Sequence, residues 1–179
     1  MMKSIFRDTA GMTVAEVIIA LGVITVGLLA LLATMPLSTS GVAEANLKTS
    51  ATFLAQQRLE QIKNAQWTTL PATDQLGGGG SDGTAAVAQW PDENYGTIPF
   101  QGAPNCAAND RSGGCRFRRQ VRIMDCSVAS CSGVAIGTTS ADTLRQVTVT
   151  VFFFGLTGAG TASASEENVQ VVTLIARRS

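Results

Sequence analysis

The sequence predicts an α+β fold in which one long N-terminal helix packs on a small C-terminal antiparallel β-sheet. A continuous apolar segment, residues 12–36, precedes an amphipathic segment, residues 37–70, and together they predict the helix. The residues that favour strands, which are β-branched and aromatic, form three strand-like runs after residue 114. With 179 residues, the chain has the size of one domain carried on a helical stalk.

The apolar segment has the length of a membrane span. Val17–Met35 is a run of 19 residues without a charge, and a helix of about 1.5 Å per residue then crosses a hydrocarbon core of about 30 Å. A cleaved secretory signal has a shorter apolar region, of about 7–15 residues, directly before its small-x-small cleavage site. The run in this chain is longer, so a cleaved secretory signal fits poorly. Lys3 and Arg7 precede the run, so the positive-inside rule predicts a cytoplasmic N-terminus and an exported remainder.

A single carboxylate, Glu16, lies at the start of this span. The positive end of the helix dipole makes an anion tolerable there, but tolerance does not give the residue a role. A cut between Gly11 and Met12 would make Glu16 the fifth residue of an apolar helix. The new α-amine of a neighbouring subunit can then pair with this carboxylate in a low-dielectric bundle, where the attraction is stronger than at a surface.

The segment Gly11–Leu21, GMTVAEVIIAL, resembles the class III signal of type IV prepilins and type II secretion pseudopilins. The resemblance implies that prepilin peptidase cleaves after Gly11, that Met12 becomes an N-methylated N-terminus, and that Glu16 neutralises the N-terminal amine of the adjacent subunit. Val14 stands where leucine is commoner in the family. Residues 5–65 look most similar to minor pilins of the PilV kind and to I-type minor pseudopilins.

The resemblance also implies a pilin-like domain organisation. The leader would be residues 1–11, the transmembrane and assembly helix 12–36, the amphipathic helix 37–70, the Gly-rich αβ-loop 71–114, and the β-sheet head 115–179. The implied function is that of a structural subunit, a minor pilin or pseudopilin, that assembles through its N-terminal helix into a type IV pilus or a type II secretion pseudopilus, within the filament or at its priming tip.

The implied partners are other pilin or pseudopilin subunits, prepilin peptidase, the inner-membrane assembly platform and, before assembly, the lipid bilayer. The protein would first lie in the bacterial inner membrane as a single-pass protein with an exported C-terminal domain, and then in a periplasmic or cell-surface filament. The alternative is a membrane-anchored periplasmic binding module for adhesion or DNA uptake. Such a module has no need of Gly11 and Glu16, so these two residues favour the structural subunit.

The composition argues against an enzyme and against a cofactor. The chain contains no histidine, which removes the commonest general base and the commonest metal ligand. Charged residues make up 15% of the chain and the formal net charge is zero, so the chain as a whole is not built to attract nucleic acid.

The second half of the helix is predicted to carry one apolar face. Pro36–Gly41 combines a missing backbone donor with weak helix formers and predicts a kink or a loosened turn. The helix is predicted to end by about Leu70, before Pro71. Phe53 falls on the opposite, polar face, where it is either a single exposed aromatic residue or a contact to a neighbouring subunit. The apolar face consists of Ala43, Leu47, Ala51, Leu54, Ala55, Leu59 and Ile62.

Turn-forming residues dominate positions 71–114, and the stretch GGGGSDGT, residues 77–84, is interpreted as a flexible linker rather than as a lone calcium-binding repeat. Three strands are predicted to follow. Alternation predicts the first over Cys115–Met124, and apolar β-formers predict the others over Leu144–Phe154 and Val169–Ala176. The last two are predicted to pair antiparallel.

Four cysteines lie in the exported part, where an oxidising compartment favours disulfides. Their spacing favours two local bridges, Cys106–Cys115 and Cys126–Cys131, among three possible connectivities. A zinc site is the alternative, but the spacing lacks a C-x-x-C pair.

The basic residues are concentrated at the first predicted strand. The usual interpretation is a solvated sheet face with acidic partners from loops. The functional alternatives are DNA phosphates or an acidic patch of another minor pilin, and the DNA alternative is disfavoured because no exposed aromatic residues are interleaved with the cations. The cluster consists of Arg116, Arg118, Arg119 and Arg122.

Overall fold

The structure, a computed structural model, shows one helix packed on a three-stranded antiparallel sheet, which confirms the predicted α+β class. Helix α1 spans Val14–Lys63, and the strands are β1 (Phe117–Asp125), β2 (Leu144–Leu156) and β3 (Ala162–Ala176). The sheet is open, with the order β1-β2-β3, and α1 packs mainly against β2 and β3. The structure describes residues 13–68, 74–77, 82–98, 107, 115–127, 129, 131–132, 144–156 and 162–177.

Helix α1 is continuous over 50 residues, so the loosened turn predicted over 36–41 is not present. The hydroxyls of Thr34 and Thr39 donate to carbonyl oxygens one turn earlier in the helix, at 2.8 and 3.3 Å. These hydroxyls are therefore satisfied within the helix itself, and the helix continues past them. Pro36 removes a single N–H donor, and the helical turns on both sides of it remain intact.

The helix ends at Lys63, earlier than the predicted end near Leu70. Asn64 caps it: its backbone N–H and its Nδ2 both donate to the carbonyl oxygen of Glu60, at 3.3 and 3.0 Å. An asparagine amide competes well for the last carbonyls of a helix, so the helix stops before it reaches a proline. Pro71 itself lies outside the described residues.

The hydrophobic core lies between the second half of α1 and the inner face of the sheet. The predicted apolar face of α1 is confirmed, while Phe53 is 57% exposed on the opposite side. Strand β1 alternates between buried and half-buried residues, as its sequence predicts. The core contains Leu47, Ala51, Leu54, Ala55, Leu59 and Ile62 from α1, with Phe117, Val121, Ile123, Val147, Val149, Val151 and Phe153 from β1 and β2.

The predicted antiparallel pairing of the last two strands is confirmed, with Val149 opposite Val171 near the middle of the ladder. Strand β3 begins at Ala162, whereas the sequence predicted a start at Val169. The early part of β3 is poor in β-formers, but Glu166 in it binds Arg118 of β1 and the Tyr95 hydroxyl. These tertiary contacts outweigh the low local β-propensity.

The loop segment 82–98 covers the outer edge of β1. Glu93 and Arg119 exchange two backbone hydrogen bonds of 2.9 and 2.8 Å, and Asp82 bridges to Met124. Part of the stretch interpreted as a flexible linker is a defined turn, because Asp82 Oδ1 accepts from the Thr84 N–H at 3.0 Å and from its hydroxyl at 2.7 Å. Residues 78–81 of that stretch lie outside the described residues.

Candidate functional site

The N-terminal half of α1 is not buried by any described part of the head. Every described side chain from Val14 to Met35 is exposed. The most apolar window of α1 has a mean hydropathy of 2.7, with none of it buried. The helix is therefore long and apolar enough to span a membrane, and the fold itself leaves this surface uncovered.

Glu16 forms a capping box at the start of this helix. Its Oε2 accepts from the Thr13 backbone N–H at 3.0 Å and from the Thr13 hydroxyl at 3.2 Å, while the Thr13 Oγ1 accepts from the Glu16 N–H at 3.3 Å. Two otherwise unpaired N–H groups of the first turn are satisfied in this way. No described residue donates to Glu16 Oε1, so that oxygen remains available to a second donor. Gly11 and Met12 lie outside the described residues.

The basic cluster is mostly neutralised within the head. Arg118 binds Glu166 in a two-point contact, Nε to Oε1 at 2.7 Å and Nη2 to Oε2 at 2.5 Å, with its guanidinium 3.7 Å from the Phe152 ring centre. Arg122 binds Asp92 with one nitrogen on each oxygen, at 2.6 and 2.9 Å. Two-point contacts of this kind are the strongest that a guanidinium makes.

Arg119 belongs to the inner face of β1, not to the outer one. It is 6% exposed and donates to Glu93 Oε2 at 2.6 Å and to the carbonyl oxygen of Leu54 at 3.0 Å. Glu93 also binds Arg58 of α1, so one carboxylate ties the loop to both the helix and the sheet. Arg116 is half-buried and forms no ion pair with a described residue.

The ion pairs fix the charge state of the loop carboxylates. The hydrogen bonds from Arg122 hold the pKa of Asp92 below its usual range. Burial raises the pKa of Glu93, but the hydrogen bonds from two arginines outweigh burial, so the net pKa of Glu93 is lowered. Burial and the hydrogen bond to Glu166 both raise the pKa of the Tyr95 hydroxyl well above its usual range. The acids are therefore charged and the tyrosine neutral near neutral pH.

Sequence reasoning missed a second buried ion pair. The Asp74 Oδ2 lies 2.6 Å from the Arg145 Nη1, and each side chain is 1% exposed. The Arg145 guanidinium also lies 4.7 Å from the Trp67 ring centre. A signal was present, since Arg145 occupies an inward position in the period-2 pattern that continues through Val147 and Val149. Asp74, by contrast, lies in a loop with no periodic pattern.

The predicted short disulfide is confirmed: Cys126 and Cys131 are bonded, with their Cα atoms 5.2 Å apart. That bond excludes zinc ligation by these two sulfurs. Cys115 is also disulfide-bonded. Its predicted partner, Cys106, lies outside the described residues.

No protein-family profile, curated protein or solved structure matches this chain.

Proposed function

We propose that this chain is a minor pilin or pseudopilin, a structural subunit that assembles through its N-terminal helix into a type IV pilus or a type II secretion pseudopilus. Its proposed location is the bacterial inner membrane, with the C-terminal head exported, followed by a periplasmic or cell-surface filament. The proposed partners are other pilin or pseudopilin subunits, prepilin peptidase and the inner-membrane assembly platform. We propose neither catalysis nor a cofactor.

The division of α1 into two halves is the observation that carries the proposal. One continuous helix buries its second half against the sheet and leaves its first half wholly exposed. Glu16 is the only charge between Thr13 and Glu44, and it is retained although a charge near a span makes membrane insertion less favourable. The free Oε1 of Glu16 supports pairing with a subunit amine, because its Oε2 alone serves the capping box.

The mass of the mature N-terminus tests the proposal. We expect a chain that begins with N-methylated Met12. Gly11→Val blocks cleavage and leaves a full-length precursor in the membrane fraction. Gly22→Val is the matched control, because it makes the same substitution inside α1, where a Cβ at Gly22 meets no atom within 4 Å. Maturation of Gly11→Val to a chain starting at Met12 would contradict the proposal.

The alternative function is a membrane-anchored periplasmic binding module. A DNA-binding role finds little support, because Arg118, Arg119 and Arg122 already hold carboxylates of the same head. A phosphate would have to displace those carboxylates. An unprocessed chain that never enters a filament would favour the anchored module.

A further inference from the structure

The two edges of the sheet are treated differently. The edge of β1 is covered by segment 82–98, through the Glu93–Arg119 and Asp82–Met124 bridges. Strand β3, at the other edge, pairs with β2 on one side and with no described residue on the other. Its outward-facing side chains are open to solvent, with Val172 45% and Leu174 41% exposed.

The free edge also lacks the usual protection against strand pairing. Natural edge strands carry charges, prolines or bulges that discourage a further strand. From Asn168 to Ala176 the sequence NVQVVTLIA contains no charge, no proline and no glycine. The irregularity in the pairing of β2 with β3 lies outside this stretch, between Phe154 and Leu156 of β2. An uncharged edge of nine residues is a template for backbone hydrogen bonds.

A cavity of about 560 Å³ adjoins the last residues of this edge. The cavity is lined by the apolar side chains of Ile175 and Leu76, by Trp67, and by Lys63 at the end of α1. Arg177, which also lines the cavity, is exposed and forms no ion pair with a described residue. The Lys63 ammonium lies 2.7 Å from Glu60. Among the described residues, the end of the edge therefore carries a positive charge without an ion-pair partner, beside a cavity that has both apolar and polar lining.

We propose that the edge of β3 binds an extended, mainly apolar strand of a different polypeptide, with acidic residues at the end that lies next to Arg177. The partner strand continues the sheet by backbone hydrogen bonds, which is the β-augmentation mode of peptide recognition. An apolar side chain at its end fills the cavity, and its acidic group meets the guanidinium. Charge complementarity fixes the direction and register of the strand.

A second copy of this chain does not fit the edge in an antiparallel arrangement. Antiparallel pairing of β3 with β3 of a second copy places a two-fold axis normal to the sheet. That axis reverses the direction of α1, so the apolar halves of the two copies would point opposite ways and could not enter one bilayer. This step rests on the membrane anchoring in the proposed function, whereas binding of a strand does not depend on processing or filament assembly.

Fluorescence anisotropy with the full-length protein in detergent micelles tests the proposal. The probe is the labelled nonapeptide TVTVTVTDD with a free carboxylate. The matched probes are TVTPTVTDD, whose proline interrupts backbone pairing, and TVTVTVTKK, whose tail has the opposite charge. We expect saturable binding of the acidic probe, and at least about tenfold weaker binding of each matched probe.

Arg177→Glu should reverse the charge preference, so that TVTVTVTKK binds better than TVTVTVTDD. Phe53→Glu is the control, because it introduces the same carboxylate side chain at an exposed site of α1 and should leave both affinities unchanged. Three results would each overturn the proposal: no saturable binding up to about 1 mM probe, equal binding of the proline probe, or an unchanged preference in Arg177→Glu. A dimer in sedimentation that Val172→Lys abolishes would overturn the choice of a foreign strand.

Discussion

The buried pair of Asp74 and Arg145 offers a direct test of how the head is stabilised. Asp74→Asn removes the negative charge but keeps an oxygen that can accept the Leu76 N–H, which lies 2.9 Å from Asp74 Oδ1. Arg145→Met removes the positive charge but keeps an unbranched side chain beside Trp67. Asp74→Asn therefore leaves the buried Arg145 guanidinium without its carboxylate partner, and Arg145→Met takes that cation away from the buried Asp74 carboxylate.

The magnitude follows from the burial. Both side chains are 1% exposed, so water cannot solvate the remaining charge. Breaking such a pair on one side costs about 3–5 kcal/mol, whereas replacing both members by uncharged groups is often close to neutral. A domain is stable by about 5–15 kcal/mol in total, so each single variant loses a large part of its stability. The double variant should lose less than either single variant.

Urea unfolding in detergent micelles, followed by tryptophan fluorescence, measures these free energies. Trp67 and Trp90 are the two tryptophans of the chain, and the indole N–H of Trp90 donates to the Gln75 carbonyl at 2.8 Å, next to Asp74. Both therefore report on this part of the head. Lys48→Ala, which breaks exposed pairs with Glu44 and Glu167, is the control and should not shift the midpoint detectably. Single variants within about 1 kcal/mol of the wild type, or costs that add fully in the double variant, would refute the reasoning.

Three further predictions concern pH, disulfides and assembly. Because the folded pKa of Glu93 is lowered, the stability that its ionised form contributes is present above its usual pKa of about 4 and is lost as the pH falls through the lowered value. The urea midpoint should therefore fall less steeply below about pH 4.5 in Glu93→Gln than in the wild type. Equal slopes in the two proteins would contradict this prediction. Non-reducing peptide mapping should recover Cys126 linked to Cys131, and a free thiol at either position would contradict the structure. Glu16→Ala should insert and mature normally but be depleted from sheared filaments, with Glu16→Asp intermediate; wild-type incorporation of Glu16→Ala would favour the anchored module.

The elements whose side chains repeat with a regular period could be predicted from the sequence. The apolar face of α1 and the alternation of β1 both follow from contact with a single core, so their periods appear directly in the chain. The same alternation puts Arg119 on the inner face of β1, because it lies between Phe117 and Val121 at every second position. A period gives the side on which a residue lies, but it does not give the partner of a buried charge. Glu93 comes from a loop 26 positions away, and no local pattern connects the two residues.

The ends of the helix and of the strands were harder to predict, because local hydrogen bonds and tertiary contacts compete to determine them. Asn64 ends α1 by a side-chain cap, although the residues after it are compatible with a helix. The start of β3 extends towards Glu166 because that carboxylate has partners on β1 and in the loop. In both places one polar side chain makes the decisive contact. A prediction that rests on the spacing of apolar residues does not detect such a contact.

The head satisfies most of its charges internally, and this restricts where a partner can bind. Arg118 and Arg122 hold Glu166 and Asp92, and segment 82–98 bridges the edge of β1, so these two arginines and that edge are already engaged within the head. Two surfaces remain unsatisfied among the described residues: the apolar half of α1 and the edge of β3. The first needs a nonpolar environment, supplied by lipid or by the helices of other subunits. The second needs backbone donors and acceptors, which a bilayer cannot provide. The two surfaces therefore require different partners, and a variant that abolishes strand binding at β3 should leave membrane insertion intact.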